Sequence, residues 1–156
     1  MRTFVAITVI AGGLVLTGSA PAVLPAPSKK FEGVTSEHGI NGFKPTVTFK
    51  TAVGGRALRN FVFQTVGCFG HGAFPVGVDP FADTLWRVAS IPVAATGVVS
   101  AKLSPRPTRS DAGTMAMTIT GAFASRTRLV GKVTFSQEQA GSECGPQTVK
   151  FAATTS

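Results

Sequence analysis

The chain of 156 residues carries 15 Lys and Arg against 7 Asp and Glu, for a formal charge of +8, and 44% of its residues are apolar. This length suits one domain with a single core and excludes a second domain. The cationic balance favours an anionic partner, such as a cell-wall polymer, an acidic polysaccharide, anionic lipid or nucleic acid, unless the scattered charges serve solubility alone.

The N-terminal stretch has the pattern of a secretory signal peptide. Arg2 precedes an apolar run, residues 4–16, that is too short for a stable membrane span. Small residues at Ala20 and Ala22 predict cleavage before Val23, which assigns residues 1–22 to the signal peptide. We expect a secreted, extracellular protein with no transmembrane segment after cleavage and, without Arg2, a charge of +7.

Residues 23–30 follow the predicted cleavage site and are rich in proline and lysine. Proline removes backbone donors, and the charges of Lys29 and Lys30 resist burial. We expect this leader to be disordered and a single folded domain to span residues 31–156.

Short stretches of alternating or β-branched residues predict strands along the rest of the chain. Gly54 and Gly55 are expected to join the second and third strands as a hairpin, and Pro92 confines the end of the fourth to a sheet edge or bulge. The predicted strands outside the central hairpin are 31–37, 46–51, 58–66, 85–93, 97–103 and 147–153. The polar connections 104–113 and 137–146 are expected to be exposed turns.

The clearest signal is a hairpin between Thr114 and Phe135. In its first arm, the apolar residues alternate with Thr and Ala, and its second arm repeats this period of two. The residues predicted to face the core are Met115, Met117, Ile119, Phe123, Leu129, Val133 and Phe135. Gly121 and Gly131 fall on the same side, where a bulge or close packing is expected.

These patterns place the chain in the all-β class, since no segment has a useful helical period. About seven or eight short strands with regular turn signals are typical of an antiparallel β-sandwich or a small barrel. We favour the sandwich. Twelve Phe, one Trp and no Tyr indicate a phenylalanine core rather than an aromatic surface for sugar stacking.

Cys68 and Cys144 are the two cysteines of the chain. An even count in an exported protein predicts one disulfide, which would stabilise the fold by about 4 to 5 kcal/mol in the chain-entropy model. The alternative pairs Cys68 with His71 as a nucleophile and base or as half of a metal site, which needs two further ligands. We favour the disulfide and predict no metal and no other cofactor.

Residues 69–84 form the most unusual predicted connection, a long loop with several glycines and prolines. Its phenylalanines, Phe74 and Phe81 among them, would be costly to expose, so the loop should fold back or bind a partner. His71 could be presented outward between two glycines, and Asp79 and Asp83 could offer oxygens to Ca²⁺. A solvated histidine and an ordinary turn are the simpler interpretations.

No catalytic motif is recognisable in the chain. A G-x-S-x-G elbow, a phosphate loop backed by a helix and a motif of paired carboxylates are all missing. We therefore predict that the protein is not an enzyme and binds no nucleotide.

Two groups of arginines are the candidate anion-binding residues. Arg126 and Arg128 lie at the turn of the central hairpin, and Arg106 and Arg109 lie in the connection 104–113. The two groups would form one basic edge if both loops lie at the same end of the sandwich. Solvated turns are the alternative.

Three short motifs carry a resemblance to known proteins: G-A-F-A-S from Gly121, G-K-V-T-F from Gly131 and C-G-P-Q-T-V-K-F from Cys144. With these, the chain resembles small exported bacterial β-sandwich proteins, immunoglobulin-like and of unassigned function. The resemblance implies that the late Cys144 pairs with Cys68, which closes an earlier strand. It carries no functional residue, and residues 69–84 depart from the tighter loop that it implies.

The sequence thus leads to three hypotheses. The first is a secreted, non-catalytic binding or adhesion module for an anionic surface polymer or a protein partner. The second is a small secreted inhibitor or interaction protein that inserts residues 69–84 into a partner. The third is a hydrolase that uses His71 with Asp79 or Asp83.

Overall fold

Antiparallel strands make up most of the structure, a computed structural model that describes residues 21–39, 42–66, 85–139 and 142–156. Within these ranges, the strands are β1 Lys30–Thr35, β2 Thr46–Thr51, β3 Ala57–Gln64, β4 Leu85–Pro92, β5 Val98–Leu103, β6 Arg106–Pro107, β7 Thr114–Ser125, β8 Arg128–Gln139 and β9 Ser142–Thr155. A short 3-10 turn, Ser110–Ala112, precedes β7. The prediction of an all-β chain is confirmed.

The strands form one continuous sheet in the order β5-β7-β8-β9-β1-β2-β3-β4-β6, and this sheet curls into a half-barrel. Strands β4 and β5 approach each other at one end, where Val93 forms an antiparallel bridge with Val99. The backbone N–H of Ala94 donates to the carbonyl of Val98 there at 2.8 Å. A β-sandwich of two separate sheets is not confirmed, because β9 pairs with β1 and links the two halves.

The core lies on the concave side of this sheet. Phe31 of β1 and Phe123 of β7 meet edge to face at 5.6 Å between ring centroids, and Phe63 of β3 meets Phe135 of β8 at 5.7 Å. Every residue predicted to face inward from the central hairpin is buried. This part of the sequence interpretation is confirmed, because alternation along a strand decides which side chains share a face.

The two ends of the half-barrel differ in what crosses them. The leader end carries the β2–β3 and β7–β8 turns and is crossed by residues 23–29. The far end carries the start of β7 and the β8–β9 connection.

The leader is ordered by backbone hydrogen bonds, which corrects the prediction of disorder. Val23 N–H donates to the carbonyl of Phe123 at 3.0 Å, and Ala26 N–H donates to that of Arg126 at 2.8 Å. The hydroxyl of Thr51, which is buried, donates to the carbonyl of Ala26 at 2.7 Å. Proline limits the freedom of the unfolded leader, which lowers the entropy cost of ordering this segment. Packing of Leu24 on the core offsets part of the remaining cost.

The two connections predicted to be exposed turns are partly structured. Residues 137–146 are not one polar turn: β8 extends to Gln139, β9 begins at Ser142, and Glu138 pairs with Glu143. Residues 104–113 contain β6 and the 3-10 turn, whose Ala112 is buried. Pairing with a neighbouring strand outweighed the turn preferences of Gly and Pro in both places.

Across the ranges that the structure describes, no helix is long and apolar enough to span a membrane.

Candidate anion-binding surface

Three cations stand side by side on the convex face of the sheet at the leader end. Lys30 of β1 pairs directly with Lys50 of β2, and Lys50 pairs directly with Arg59 of β3. All three are exposed. We call these three residues the cationic row. Directly opposed side chains on neighbouring strands have Cβ atoms about 4.5 to 5.5 Å apart, so the row presents closely spaced positive charges across three strands.

The alternation of β1 and β2 places the first two members of this row outside. Lys30 precedes Phe31, and Lys50 follows Phe49, and both phenylalanines are buried in the core, where their rings stack at 4.9 Å between centroids. Since successive side chains point to opposite faces, burial of each phenylalanine exposes its neighbouring lysine. The packing of the core therefore fixes the position of the charges.

A β-bulge on β3 brings Arg59 into register with this row. The pairing of β2 with β3 shifts between Thr48 and Lys50, and Asn60 has a φ of 51°. Asn tolerates this left-handed conformation better than most residues. The extra residue leaves both Arg59 and Asn60 exposed between the buried Leu58 and Phe61. Without the bulge, strict alternation from Phe61 would point Arg59 to the core.

The rest of the leader end adds further exposed cations. Lys29 is held by Thr51, whose hydroxyl accepts from its backbone N–H at 3.0 Å. Arg126 lies in the β7–β8 turn, and Arg128 pairs with Thr154 across β8 and β9. The exposed basic residues at this end are Lys29, Lys30, Lys50, Arg56, Arg59, Arg126 and Arg128.

One carboxylate accompanies these cations among the described residues. Glu32 of β1 forms an ion pair with Lys30, and both side chains are about half exposed. Like charges directly opposite each other destabilise a sheet. In the described part of the chain, the ion pair with Glu32 offsets one charge of the cationic row, which leaves an excess of positive charge. An anionic ligand would relieve the repulsion between these cations, so the surface is suited to such a ligand.

The arginines predicted to form one basic edge lie at opposite ends of the half-barrel. Arg126 and Arg128 stand at the leader end, as described. Arg106 pairs with Arg87 at the start of β4, and Arg109 immediately precedes the 3-10 turn, both toward the far end. The full length of β7, about 35 to 40 Å for its twelve residues, separates the two groups. The shared edge that the prediction required is not formed.

Cys68, His71, Phe74, Phe81, Asp79 and Asp83 lie outside the described residues. The backbone of Cys144 pairs with Gln137 on β8, but the position of its side chain is not described. The disulfide, the loop 69–84 as a binding element and the proposed hydrolytic residues therefore stay predictions.

The surface offers charge without aromatic rings. In the described ranges, the exposed large apolar side chains are Val34, Val53, Val98 and Val130. Stacking on sugars or bases needs an exposed ring. No group of three or more His, Cys, Asp or Glu that could hold a metal occurs in this part of the chain. Among the described residues, the leader end therefore offers charge and hydrogen bonds for recognition.

Sequence reasoning overlooked Lys30, Lys50 and Arg59. They are distant in sequence and meet through strand register, which no local pattern reports. One signal for the bulge is present, because Leu58 and Phe61 are three residues apart in a strand whose apolar residues should recur every two.

No protein-family model, no curated protein and no solved structure matches the chain. These comparisons give no evidence of an enzyme family or a catalytic motif.

Proposed function

We propose that the protein is a secreted, non-catalytic binding module that attaches to an anionic polymer of a cell surface through its leader end. The observation that carries this proposal is the cationic row, in which Lys30, Lys50 and Arg59 are directly opposed across three strands. The sandwich-like packing of two facing halves around one phenylalanine core serves here as the rigid support of that row.

The energetics of the row favour a ligand with repeated negative charges. Mutual repulsion of the three cations lowers the stability of the free protein, and a bound polyanion relieves it. Each neutralised charge of the polymer also releases a condensed counterion, which makes binding strongly dependent on salt. A small monovalent anion neutralises one cation, whereas a chain of phosphate, sulfate or carboxylate groups can contact several.

The lack of exposed rings among the described residues narrows the choice of polymer. Proteins that bind single-stranded nucleic acid without sequence preference stack bases on aromatic side chains. The part of the leader end that the structure describes offers no such ring. An anionic surface polysaccharide or polyphosphate-type polymer therefore fits better than single-stranded nucleic acid.

Binding to dextran sulfate and to long-chain polyphosphate tests the proposal, with neutral dextran as the reference. The protein starting at Val23 should bind both anionic polymers. The triple variant Lys30→Gln, Lys50→Gln, Arg59→Gln should bind at least about tenfold more weakly at low salt, and its plot of log affinity against log salt should be flatter by about 2.

A matched triple variant separates the row from net charge. Lys44, Lys102 and Lys150 are exposed and lie outside the leader end, and their replacement by Gln removes the same charge. We expect this variant to retain most of the affinity. An equal loss in the two variants would show that only net charge matters and would overturn the proposal.

Secretion and the disulfide belong to the same proposal and have their own tests. Edman sequencing of the exported protein should begin at Val23. Mass spectrometry of a non-reduced digest should contain a Cys68–Cys144 cross-linked peptide. A retained N-terminus or two free thiols would contradict these two parts without affecting the polymer assay.

A further inference from the structure

A groove of about 530 Å³ lies on the outer surface where β3 and β4 meet residues 104–107. We call it the β4 groove. Its aliphatic lining consists of Val62, Val88, Ala89 and Pro107. Sites for small molecules typically have volumes of about 300 to 1,000 Å³ and combine an apolar lining with a few polar groups. The β4 groove is therefore large enough for a small ligand.

The groove lies where the alternation of β3 and β4 is interrupted. On β4, Ala89 and Ser90 are both exposed, and on β3, Arg59 and Asn60 are both exposed. Strict alternation would point one residue of each of these pairs to the core. Because the side chain of Ala89 is a single methyl group, it takes up little of the groove that it lines.

Two guanidiniums in direct opposition border this groove. Arg87 of β4 pairs with Arg106 of β6, and both exposed side chains line the groove. Within the described ranges, neither arginine forms an ion pair. The first carboxylate along the same row of paired residues is Glu32 of β1, three strand spacings or about 14 Å from Arg87. That carboxylate forms its ion pair with Lys30.

The chemistry of the lining indicates the kind of ligand. Two adjacent guanidiniums repel each other, and an anion between them removes this repulsion. A carboxylate matches the planar fork of a guanidinium with two parallel hydrogen bonds. Asn60 and Ser104 are the other polar side chains of the described lining, which contains no aromatic ring. A sugar needs more hydrogen-bond partners and a ring to stack on, whereas a hydrocarbon chain needs only apolar surface.

We propose that the β4 groove binds an aliphatic carboxylate of the fatty-acid type. The hydrocarbon chain lies on Val62, Val88 and Ala89. The carboxylate accepts hydrogen bonds from Arg87 and Arg106. No residue of the cationic row lines the groove, so this site does not depend on the proposed polymer binding.

Octanoate is the probe, because it combines the carboxylate with a flexible hydrocarbon chain. Acetate supplies the carboxylate without the chain, and 1-octanol supplies the chain without the charge. An amide NMR titration measures each affinity and locates each ligand. Octanoate should bind at least about tenfold more tightly than either reference compound, with its largest shifts around Ala89 and Arg106.

Charge variants test the two guanidiniums. Arg87→Gln and Arg106→Gln should each weaken octanoate binding about tenfold or more, because charge-assisted hydrogen bonds are lost. Arg87→Lys keeps the charge but lacks the fork, and it should recover only part of the affinity. Lys102→Gln is the matched control, since this exposed lysine lies on β5 outside the groove, and it should leave the affinity unchanged.

A filled groove tests the place of the hydrocarbon chain. Ala89→Leu occupies the space beside Val62 while both arginines remain, and it should weaken octanoate binding about tenfold or more without changing the affinity for acetate. Ala152→Leu, at an exposed position of β9, is the matched control. If Ala89→Leu fails to fold, Ala89→Val carries the same test with a side chain that strands favour.

Three results would overturn the inference. They are equal affinities for octanoate and acetate, unchanged octanoate affinity in both Arg→Gln variants, and unchanged octanoate affinity in the filled groove. Shifts centred on Lys50 would assign the carboxylate to the cationic row instead. The triple variant of the cationic row should bind octanoate as the unmodified protein does, which keeps this result distinct from the polymer assay.

Discussion

Strand pairing places like charges opposite each other at both ends of the half-barrel, but the charges of these pairs differ in sign. At the leader end, Lys30, Lys50 and Arg59 are directly opposed, whereas at the far end Glu138 of β8 lies directly opposite Glu143 of β9. Charges that are scattered in the sequence are therefore sorted by the fold. The molecule has a strongly cationic end and an end where acids and bases are mixed.

The core beneath the two ends also differs. Below the cationic row, Phe49 contacts three other rings, those of Phe31, Phe61 and Phe123. Phe135 forms a ring contact with Phe63. The leader end thus combines a surface of opposed cations with a cluster of four aromatic rings, and the core beneath the row fixes where its strands lie.

The largest effect should come from Phe49→Ala. Loss of a buried phenylalanine costs about 3 to 5 kcal/mol, and we expect a value of about 4 kcal/mol in the free energy of unfolding, measured with urea. Phe135→Ala should cost about 1 kcal/mol less, because within the described ranges one ring contact is lost instead of three. Val130→Ala, at an exposed position, serves as the control within about 0.5 kcal/mol. A larger loss for Phe135→Ala would contradict the difference between the two ends.

A smaller loss should follow from Gly97→Ala, which tests whether the leader is part of the leader end. Gly97 has a φ of 80°, and a Cβ there would lie 2.1 Å from the carbonyl oxygen of Val23. We expect a loss of about 2 to 3 kcal/mol from the strained backbone and the displaced leader. Gly54→Ala is the matched control, since the nearest atom to its Cβ is 3.8 Å away.

A truncated chain separates the two causes. In a protein that begins at Lys29, Gly97→Ala should cost only the backbone strain, about 1 to 2 kcal/mol. The same loss in the truncated and the longer chain would mean that Val23 does not rest on Gly97.

The smallest effect should be a gain in stability. Lys50→Gln removes the repulsion of Lys50 with Lys30 on one side and with Arg59 on the other. This change should stabilise the fold by about 0.5 kcal/mol at low salt. Glu138→Gln should give a similar gain at the far end. The exposed Lys44 has no such opposed cation in the strand pairings, and Lys44→Gln should change stability by less than about 0.2 kcal/mol.

Salt is the control for this pair of gains. At about 1 M salt the screening length falls to about 3 Å, and both gains should vanish. A gain that persists at high salt would have to come from packing or strand propensity. Charge repulsion within the row would then not explain the gain.

Sequence patterns predicted the faces of the strands well and their neighbours poorly. The inward side of β7, with Met115, Met117 and Ile119, follows from alternation alone. The continuous sheet does not, because pairing of β9 with β1 is a long-range choice that no local pattern encodes. The same reason explains the polar residues around Glu138 and Glu143, which join a strand pair although their composition favours a turn.

The candidate surface was predictable only in part. Net charge indicated an anionic partner, and the β7–β8 turn correctly placed Arg126 and Arg128 in an exposed position. The cationic row depends on the register of β1, β2 and β3 and on the bulge at Asn60. Register is set by the whole sheet, so a row of residues that are distant in sequence cannot be predicted from any one segment of the chain.

The central claim is that an anionic polymer binds at the leader end, and amide NMR shift mapping with short-chain polyphosphate tests it most directly. We predict that the largest shifts fall on Lys30, Lys50, Arg59 and the β7–β8 turn, with little change around Glu138 and Glu143. Shifts spread evenly over the sheet, or concentrated at the far end, would contradict the account.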